Sequence, residues 1–135
     1  MRKILITIYC LFVLSACSNE NKVHPLIDAL NSEGIHVTEI NTSEDAILGV
    51  KGIVFKLDND EIIRVYDFGS KENRVKGEKK FKDNQKLLSS HAPIVYPANQ
   101  YLMLYYYTVS TNAQELELTE TKFGEKLQNA IDRIK

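Results

Sequence analysis

The sequence is poor in cysteine and lacks a metal-binding signature. Among its 135 residues only Cys10 and Cys17 carry thiols. A disulfide between them would close a very small loop inside an apolar segment, so a disulfide-stabilised fold is disfavoured. The three histidines are scattered, and Asp58-Asn59-Asp60-Glu61 lacks the glycine and the distant glutamate of an EF-hand loop. We therefore expect no metal and no other cofactor.

No apolar run is long enough to span a membrane. The run at the start of the chain, Ile4–Leu14, has eleven residues and is interrupted by Thr7 and Tyr9, whereas a spanning helix needs about 20 apolar residues. Arg2 and Lys3 precede it, and a short apolar run behind positive charges is typical of an export signal. We predict that this segment is a signal peptide and not part of the fold.

Catalytic motifs and a large charge excess are also missing. Ser89-Ser90-His91 contains a nucleophile and a base, but adjacent residues rarely face each other, and the chain has neither a Gly-x-Ser-x-Gly elbow nor a phosphate loop. The formal net charge is −1, which does not favour a nucleic-acid partner. We expect a protein that is not an enzyme and does not bind nucleic acid.

The residues that follow the apolar run have a recognisable order. Leu14-Ser15-Ala16-Cys17 places two small residues between a leucine and a cysteine, and it resembles the lipobox of bacterial lipoproteins. The resemblance extends to small lipoproteins of Gram-positive bacteria, many without an assigned role, and it carries no functional residue except Cys17. The alternative is that Cys17 is a free thiol behind a helix that packs on its own domain, but an apolar run without a polar face does not suit that alternative.

The resemblance implies cleavage before Cys17 and a diacylglyceryl group, with palmitate among its acyl chains, on the Cys17 sulfur. Two acyl chains make a durable anchor, since each buried methylene contributes about 0.8 kcal/mol and one chain alone binds marginally. The expected location is the outer face of the cell membrane. Cys10 would leave with residues 1–16, residues 17–22 would form the lipidated tether, and residues 23–135 would form one domain.

Charge is unevenly distributed over the domain. Removing the signal takes two positive charges away and leaves −3 on 119 residues. Eight acids and two bases fall between Asp28 and Glu61, whereas seven bases and three acids fall between Lys71 and Lys86. The sequence therefore predicts an acidic region and a basic helix.

Hydrophobic periodicity and turn residues predict an α+β fold. Helices are expected from Pro25 to Gly34, over Lys71–Ser90 and from Thr111 to Lys135, with a short helical piece at Asp45–Leu48. Two hairpins turn at Asp58-Asn59-Asp60 and at Pro97-Ala98-Asn99-Gln100. The resulting order is α-β-β-β-α-β-β-α. We predict a mainly antiparallel sheet of about five strands, with the helices packed on one face.

Two candidate binding surfaces follow from this fold. Tyr101, Tyr105 and Tyr107 share one face of the last strand, which is either a stacking surface for a ligand or the side that lies under a helix. The second surface consists of four lysines on the basic helix: Lys76, Lys79, Lys80 and Lys82. These lysines either form a solvated face or contact an anionic lipid or wall polymer.

The sequence thus favours a lipid-anchored, non-catalytic interaction module at the cell envelope that binds a neighbouring envelope protein or a small ligand. The alternative is a module that grips an anionic wall polymer or lipid through the basic helix at residues 71–86. Both predictions include membrane attachment through Cys17.

Overall fold

A computed structural model describes residues 23–85, 92–107 and 123–135, without the side chains of residues 41–44. Its helices are α1 (His24–Ser32), α2 (Lys71–Gln85) and α3 (Gly124–Asp132). Its strands are β1 (Val37–Ile47), β2 (Val50–Leu57), β3 (Ile62–Asp67), β4 (Ile94–Ala98) and β5 (Tyr101–Tyr106). The predicted α+β class and the predicted element order are confirmed.

The five strands form one antiparallel sheet in the order β1-β2-β3-β5-β4. Both predicted hairpins are present, and β1 and β2 form a third. The short helical piece predicted at Asp45–Leu48 is wrong, because the chain remains in β1 to Ile47. Leu48 and Gly49 then form the turn with φ angles of 49° and 78°, the left-handed conformation that two-residue hairpin loops require.

Helices α1 and α3 cover one face of the sheet. They use the same spacing, because each buries positions i, i+3 and i+4, which lie on one side of a helix. In α1 these positions are Leu26, Ala29 and Leu30, and in α3 they are Leu127, Ala130 and Ile131. These side chains form the larger core with alternate residues of the strands, among them Phe55, Leu57, Ile63, Val65, Tyr96, Met103 and Tyr105.

Helix α2 lies on the opposite face of the sheet. The second core contains the other set of alternate strand residues, including Tyr66, Leu102 and Leu104, and Phe81 of α2 packs against it. The prediction that all helices lie on one face is therefore wrong for α2. The apolar side of α2 is too narrow to indicate a separate layer from the sequence, because Phe81 is its main apolar contact with the second core and Val75 is 51% exposed.

The position of α2 depends on its start and on one glycine. Ser70 caps the helix: its hydroxyl accepts a hydrogen bond from the amide of Asn73 at 3.2 Å and its carbonyl accepts one from the amide of Arg74 at 3.0 Å. Gly77 faces the ring of Phe68, and a Cβ at this position would overlap that ring. The helix can therefore approach the sheet closely. In the part of the chain that the structure describes, no helix is long and apolar enough to cross a membrane.

Candidate anion-binding surface on α2

The tyrosine face of β5 is closed by the core. Tyr101 is 6% exposed and Tyr105 is fully buried, and both belong to the core under α1 and α3. Tyr107 is half-buried and packs against Tyr105, with ring centroids 5.9 Å apart. A stacking surface formed by Tyr101 and Tyr105 is therefore wrong, since a ligand has no access to their rings.

The lysine face of α2 is open. The exposed side chains of this helix include five lysines and two acids: Lys71, Lys76, Lys79, Lys80 and Lys82, with Glu72 and Asp83. Lys82 forms an ion pair with Glu78 at 2.7 Å. The predicted lysines Lys76, Lys79, Lys80 and Lys82 therefore lie together on the solvent side of one helix, which can present positive charge to a partner.

Arg74 differs from these lysines because it is buried against the sheet. Its side chain is 9% exposed, its Nε donates to the carbonyl of Asn99 at 2.8 Å, and its Nη1 donates to Glu78 at 2.7 Å. Asn99 lies in the turn between β4 and β5. Arg74 therefore ties α2 to this turn and is not part of the solvated basic face.

The hydrogen bonds from Arg74 to Asn99 and Glu78 are called the clamp below. Two concave regions lie beside it. A cavity of about 330 Å³ is lined by Lys71, Arg74, Pro97, Asn99 and Lys135, so three of the five lining residues described are cationic. A more open cavity of about 550 Å³ is lined by Asp67, Phe68, Gly69 and Gln100.

The larger cavity has its polar groups already occupied. The Asp67 Oδ1 atom accepts hydrogen bonds from the Gly69 amide at 2.8 Å and from Gln100 Nε2 at 2.9 Å. The Phe68 amide donates to the carbonyl of Gln100 at 3.1 Å. These bonds close the turns at this end of the sheet, so the larger cavity offers a ligand fewer free donors than the cationic one.

A separate polar group lies on the α2 side of the sheet. Arg64 Nη1 donates to Asp45 at 3.0 Å, and the guanidinium carbon lies 5.2 Å from the centre of the Tyr106 ring, within the range of a cation–π contact. A Cβ at Gly52 would lie 2.9 Å from both Arg64 and Tyr66. The absence of a side chain at Gly52 therefore leaves room for the side chains of Arg64 and Tyr66. This group joins β1, β2, β3 and β5.

The other side of the sheet buries a carboxylate. Glu61 is 8% exposed, and the hydroxyl of Tyr105 donates to its Oε2. The Glu61 backbone closes the turn between β2 and β3, because its carbonyl accepts from the Leu57 amide at 2.8 Å. Its amide donates to Asn59 Oδ1 at 3.2 Å. Both the side chain and the backbone of Glu61 therefore hold this corner of the fold.

Other site residues predicted from the sequence have different outcomes. Cys17 lies outside the described residues, so its lipidation stays a prediction. Within the described ranges no group of three or more His, Cys, Asp or Glu side chains is arranged to hold a metal ion. Ser89, Ser90 and His91 also lie outside those ranges.

Comparisons with protein-family models, with curated proteins and with solved structures found no match for this chain.

Sequence reasoning missed the clamp and the cationic cavity for different reasons. The spacing of Arg74, Glu78 and Lys82 is i, i+4, i+8, a pattern that predicts ion pairs along a helix, so this signal was available. Lys71, Asn99 and Lys135 are far apart in the sequence. Only the packing of α2 beside the turn between β4 and β5 brings them to one cavity.

Proposed function

We propose that this chain is a bacterial lipoprotein held by Cys17 at the outer face of the cell membrane, and that its domain is a non-catalytic module that binds an anionic polymer of the envelope. The observation that carries the binding part is the exposed side of α2, with five lysines against two acids. The lipobox Leu14-Ser15-Ala16-Cys17 supports the anchor.

A flexible polyanion suits this surface better than a ligand that needs a shaped pocket. The ε-ammonium groups are mobile point charges on exposed stems, which attract anionic groups without fixing one geometry. A regular polymer places many such groups along one helix. Binding of this kind depends on salt, because exposed charges are screened over about 8 Å at physiological ionic strength.

The layers of the fold favour a polymer over the bilayer that holds the anchor. Val23 begins the α1 side of the sheet, whereas α2 lies on the opposite side. With helices about 10 Å thick, Val23 lies about 20 Å or more from the outer surface of α2. The tether of five residues from Ser18 to Lys22 reaches about 20 Å at most. A tether of this length disfavours flat contact between the lysine face and the anchoring bilayer and supports an orientation in which that face is directed away from it.

The anchor is tested by metabolic labelling with a palmitate analogue. The wild-type protein is expected to carry the label and to fractionate with membranes, while Cys17→Ser is expected to lose both properties. An unlabelled wild-type protein that still fractionates with membranes would overturn the lipid anchor.

Binding is tested with the lipidated protein in neutral detergent micelles and with isolated cell wall, before and after chemical removal of its anionic polymers. The double variant Lys76→Glu and Lys79→Glu is expected to bind about 30-fold more weakly or worse, because each lysine near a polyanionic surface contributes about 1 kcal/mol. Stripped wall is expected to bind neither protein.

A matched control makes the same change in charge elsewhere. Lys51 on β2 and Lys126 on α3 are exposed, and their double replacement by Glu is expected to leave wall binding within about twofold of wild type, because these lysines are outside the α2 face. Equal loss in the control, or binding that survives both stripping and charge reversal on α2, contradicts the proposal. Equally tight binding to anionic lipid vesicles would identify lipid as the ligand instead of polymer.

A further inference from the structure

The cationic cavity beside the turn between β4 and β5 shares only Lys71 with the lysine face of α2. Its described lining consists of Lys71 and Arg74 from α2, Pro97 and Asn99 from the β4–β5 hairpin, and Lys135, which follows α3. Helix α2 and the segment that follows α3, which lie on opposite sides of the sheet, therefore both contribute to one concave surface. A volume of about 330 Å³ is at the small end of the range for ligand pockets.

The charge in this cavity is only partly compensated. Arg74 shares the carboxylate of Glu78 with Lys82, and Lys135 forms an ion pair with the exposed Asp132. No described acid is within ion-pair distance of Lys71, which is exposed. The three cations that line the cavity are therefore compensated only by Asp132 and by the carboxylate of Glu78, which Lys82 shares, and the remaining positive charge suits an anion.

Among the three cations that line the cavity, Arg74 is buried and held by hydrogen bonds, whereas Lys71 and Lys135 are exposed. Its hydrogen bonds to Asn99 and Glu78 hold the guanidinium in place, so little side-chain entropy is lost when a further group binds to it. At the start of α2 the amides of Asn73 and Arg74 already donate to Ser70. The proposed recognition therefore uses the side chains that line the cavity.

We propose that this cavity binds a phosphate group, with Lys71, Arg74 and Lys135 as the cations that contact it. Phosphate carries up to two negative charges and is bound by lysine as a point charge and by arginine through its planar N–H groups. The phosphate belongs either to a small phosphorylated molecule or to a polymer. Phosphate binding in this cavity requires neither polymer binding by Lys76, Lys79, Lys80 and Lys82 nor the lipid anchor.

The test is a titration with inorganic phosphate, with the ¹⁵N-labelled lipidated chain in neutral detergent micelles. The backbone amides of Lys71, Asn99 and Lys135 are expected to shift saturably. Sodium chloride at the same ionic strength is expected to shift them little, because screening alone does not fill a site. Absence of a saturable shift, or an equal response to chloride, overturns the site.

Paired variants separate this site from the polymer face. Lys71→Gln with Lys135→Gln is expected to weaken phosphate binding about 100-fold, because each hydrogen bond to a charged group contributes about tenfold or more. Lys76→Gln with Lys79→Gln removes the same charge from α2 and is expected to leave phosphate binding unchanged. An equal loss in both variants overturns the site, while loss of wall binding alone would concern only the proposed function.

The source of the phosphate is identified by competition. If wall polymer shifts the same three amides and phosphate displaces it, the cavity holds a phosphate of the polymer. If saturating phosphate leaves polymer binding unchanged, the cavity belongs to a small phosphorylated molecule.

Discussion

Two buried tyrosines of the larger core differ in what their hydroxyl groups contact. The Tyr105 hydroxyl donates to the buried carboxylate of Glu61. The Tyr96 hydroxyl is buried without a hydrogen-bond partner in the described part of the structure. The rings of both residues are almost completely buried, at 0% and 2% exposure. The same substitution at the two positions therefore separates the effect of a hydroxyl from that of a ring.

We expect Tyr105→Phe to lower the free energy of unfolding by about 1–3 kcal/mol, because it removes a donor from a buried carboxylate. Tyr96→Phe is expected to be neutral or stabilising, since an unpaired buried hydroxyl costs free energy in the folded state. Urea unfolding of both variants gives the comparison. A larger loss for Tyr96→Phe than for Tyr105→Phe would contradict this assignment of partners.

Tyr96 also predicts a response to alkaline pH. Burial raises the pKa of Tyr96 to about 12, whereas a tyrosine in the unfolded chain has a pKa of about 10. Below pH of about 10 the Tyr96 hydroxyl is protonated in both the folded and the unfolded state, so it does not change the stability. Between about 10 and about 12 the unfolded chain loses the proton first, so the free energy of unfolding falls as pH rises.

The Phe substitution removes this titration, so Tyr96→Phe is expected to lose less stability than wild type between pH of about 8 and about 11. Urea midpoints at the two pH values measure the difference. Identical losses in the two proteins would show that Tyr96 does not contribute to the alkaline transition.

Replacing Gly77 by alanine adds one methyl group and so tests how closely α2 packs against the sheet. Alanine is normally favoured over glycine inside a helix by about 0.5–1 kcal/mol. At this position the methyl would overlap the ring of Phe68, so we expect Gly77→Ala to destabilise the protein by about 1–3 kcal/mol. The exposed Asn84→Ala on the same helix is the control and is expected to be neutral or stabilising. A stabilised Gly77→Ala protein would place α2 farther from the sheet.

At the scale of elements, α2 is held mainly by its start and by Arg74. Its exposed side is polar and one aromatic residue, Phe81, is its main apolar contact with the second core. The hydrogen bond from Arg74 to Asn99 therefore has a large part in its attachment, and the ion pair with Glu78 within the helix holds the Arg74 side chain in position. Helices α1 and α3, in contrast, are held by three buried apolar residues each.

We expect Arg74→Met to lower the free energy of unfolding by about 3 kcal/mol, because it leaves a half-buried carboxylate without its buried partner. The remaining pair between Glu78 and Lys82 is partly exposed and compensates little. Lys82→Met is the matched control, with an expected loss of less than about 1 kcal/mol. Hydrogen exchange of α2 amides is expected to accelerate in Arg74→Met; exchange as slow as in wild type would contradict the role of the clamp.

The edges of the sheet are protected in two ways. Pro97 lies in the edge strand β4, where a missing N–H weakens pairing with another chain. The other edge strand, β1, has register irregularities between Glu39 and Asn41 and between Thr42 and Ala46, and bulges of this kind also disfavour edge-to-edge pairing.

At the scale of the whole molecule, the layers of the fold and the proposed tether bear on which side would meet a membrane. The two sides of the sheet carry different helices, and Val23, the first described residue, lies in the core on the side of α1, so the proposed anchor would enter there. On proteoliposomes with anionic lipid, a label at Lys79→Cys is expected to be insensitive to quenchers in the headgroup region. A label at Asp28→Cys, exposed on α1, serves as the reference on the anchored side.

Inserting a flexible linker of about 20 Gly and Ser residues between Asn21 and Lys22 is expected to change this result, because such a linker spans about 25 Å on average. The label at position 79 is then expected to be quenched on anionic vesicles at low salt. Quenching already with the native tether would show that the lysine face reaches the bilayer.

Much of the fold could be predicted from local patterns. Alternation in strands, turn residues such as Asp58-Asn59-Asp60 and the apolar spacing of the first helix depend on neighbours in the sequence, so they determined the α+β class and the order of elements. The resemblance of Leu14-Ser15-Ala16-Cys17 to a lipobox likewise rests on contiguous residues, and the prediction of an anchor follows from it. The exposed lysines of α2 could be predicted because lysine stems reach solvent from most helix faces.

The tertiary structure decided which faces are buried. A strand with apolar residues on both sides does not indicate which side receives which helix, so only the packing of α1 and α3 closes the face of Tyr101 and Tyr105. Composition alone does not distinguish Arg74 from the lysines of the basic helix, yet it is buried because α2 approaches the turn at Asn99. The cavity shared by Lys71 and Lys135 has the same origin, since contacts between distant segments depend on layer packing and not on local sequence.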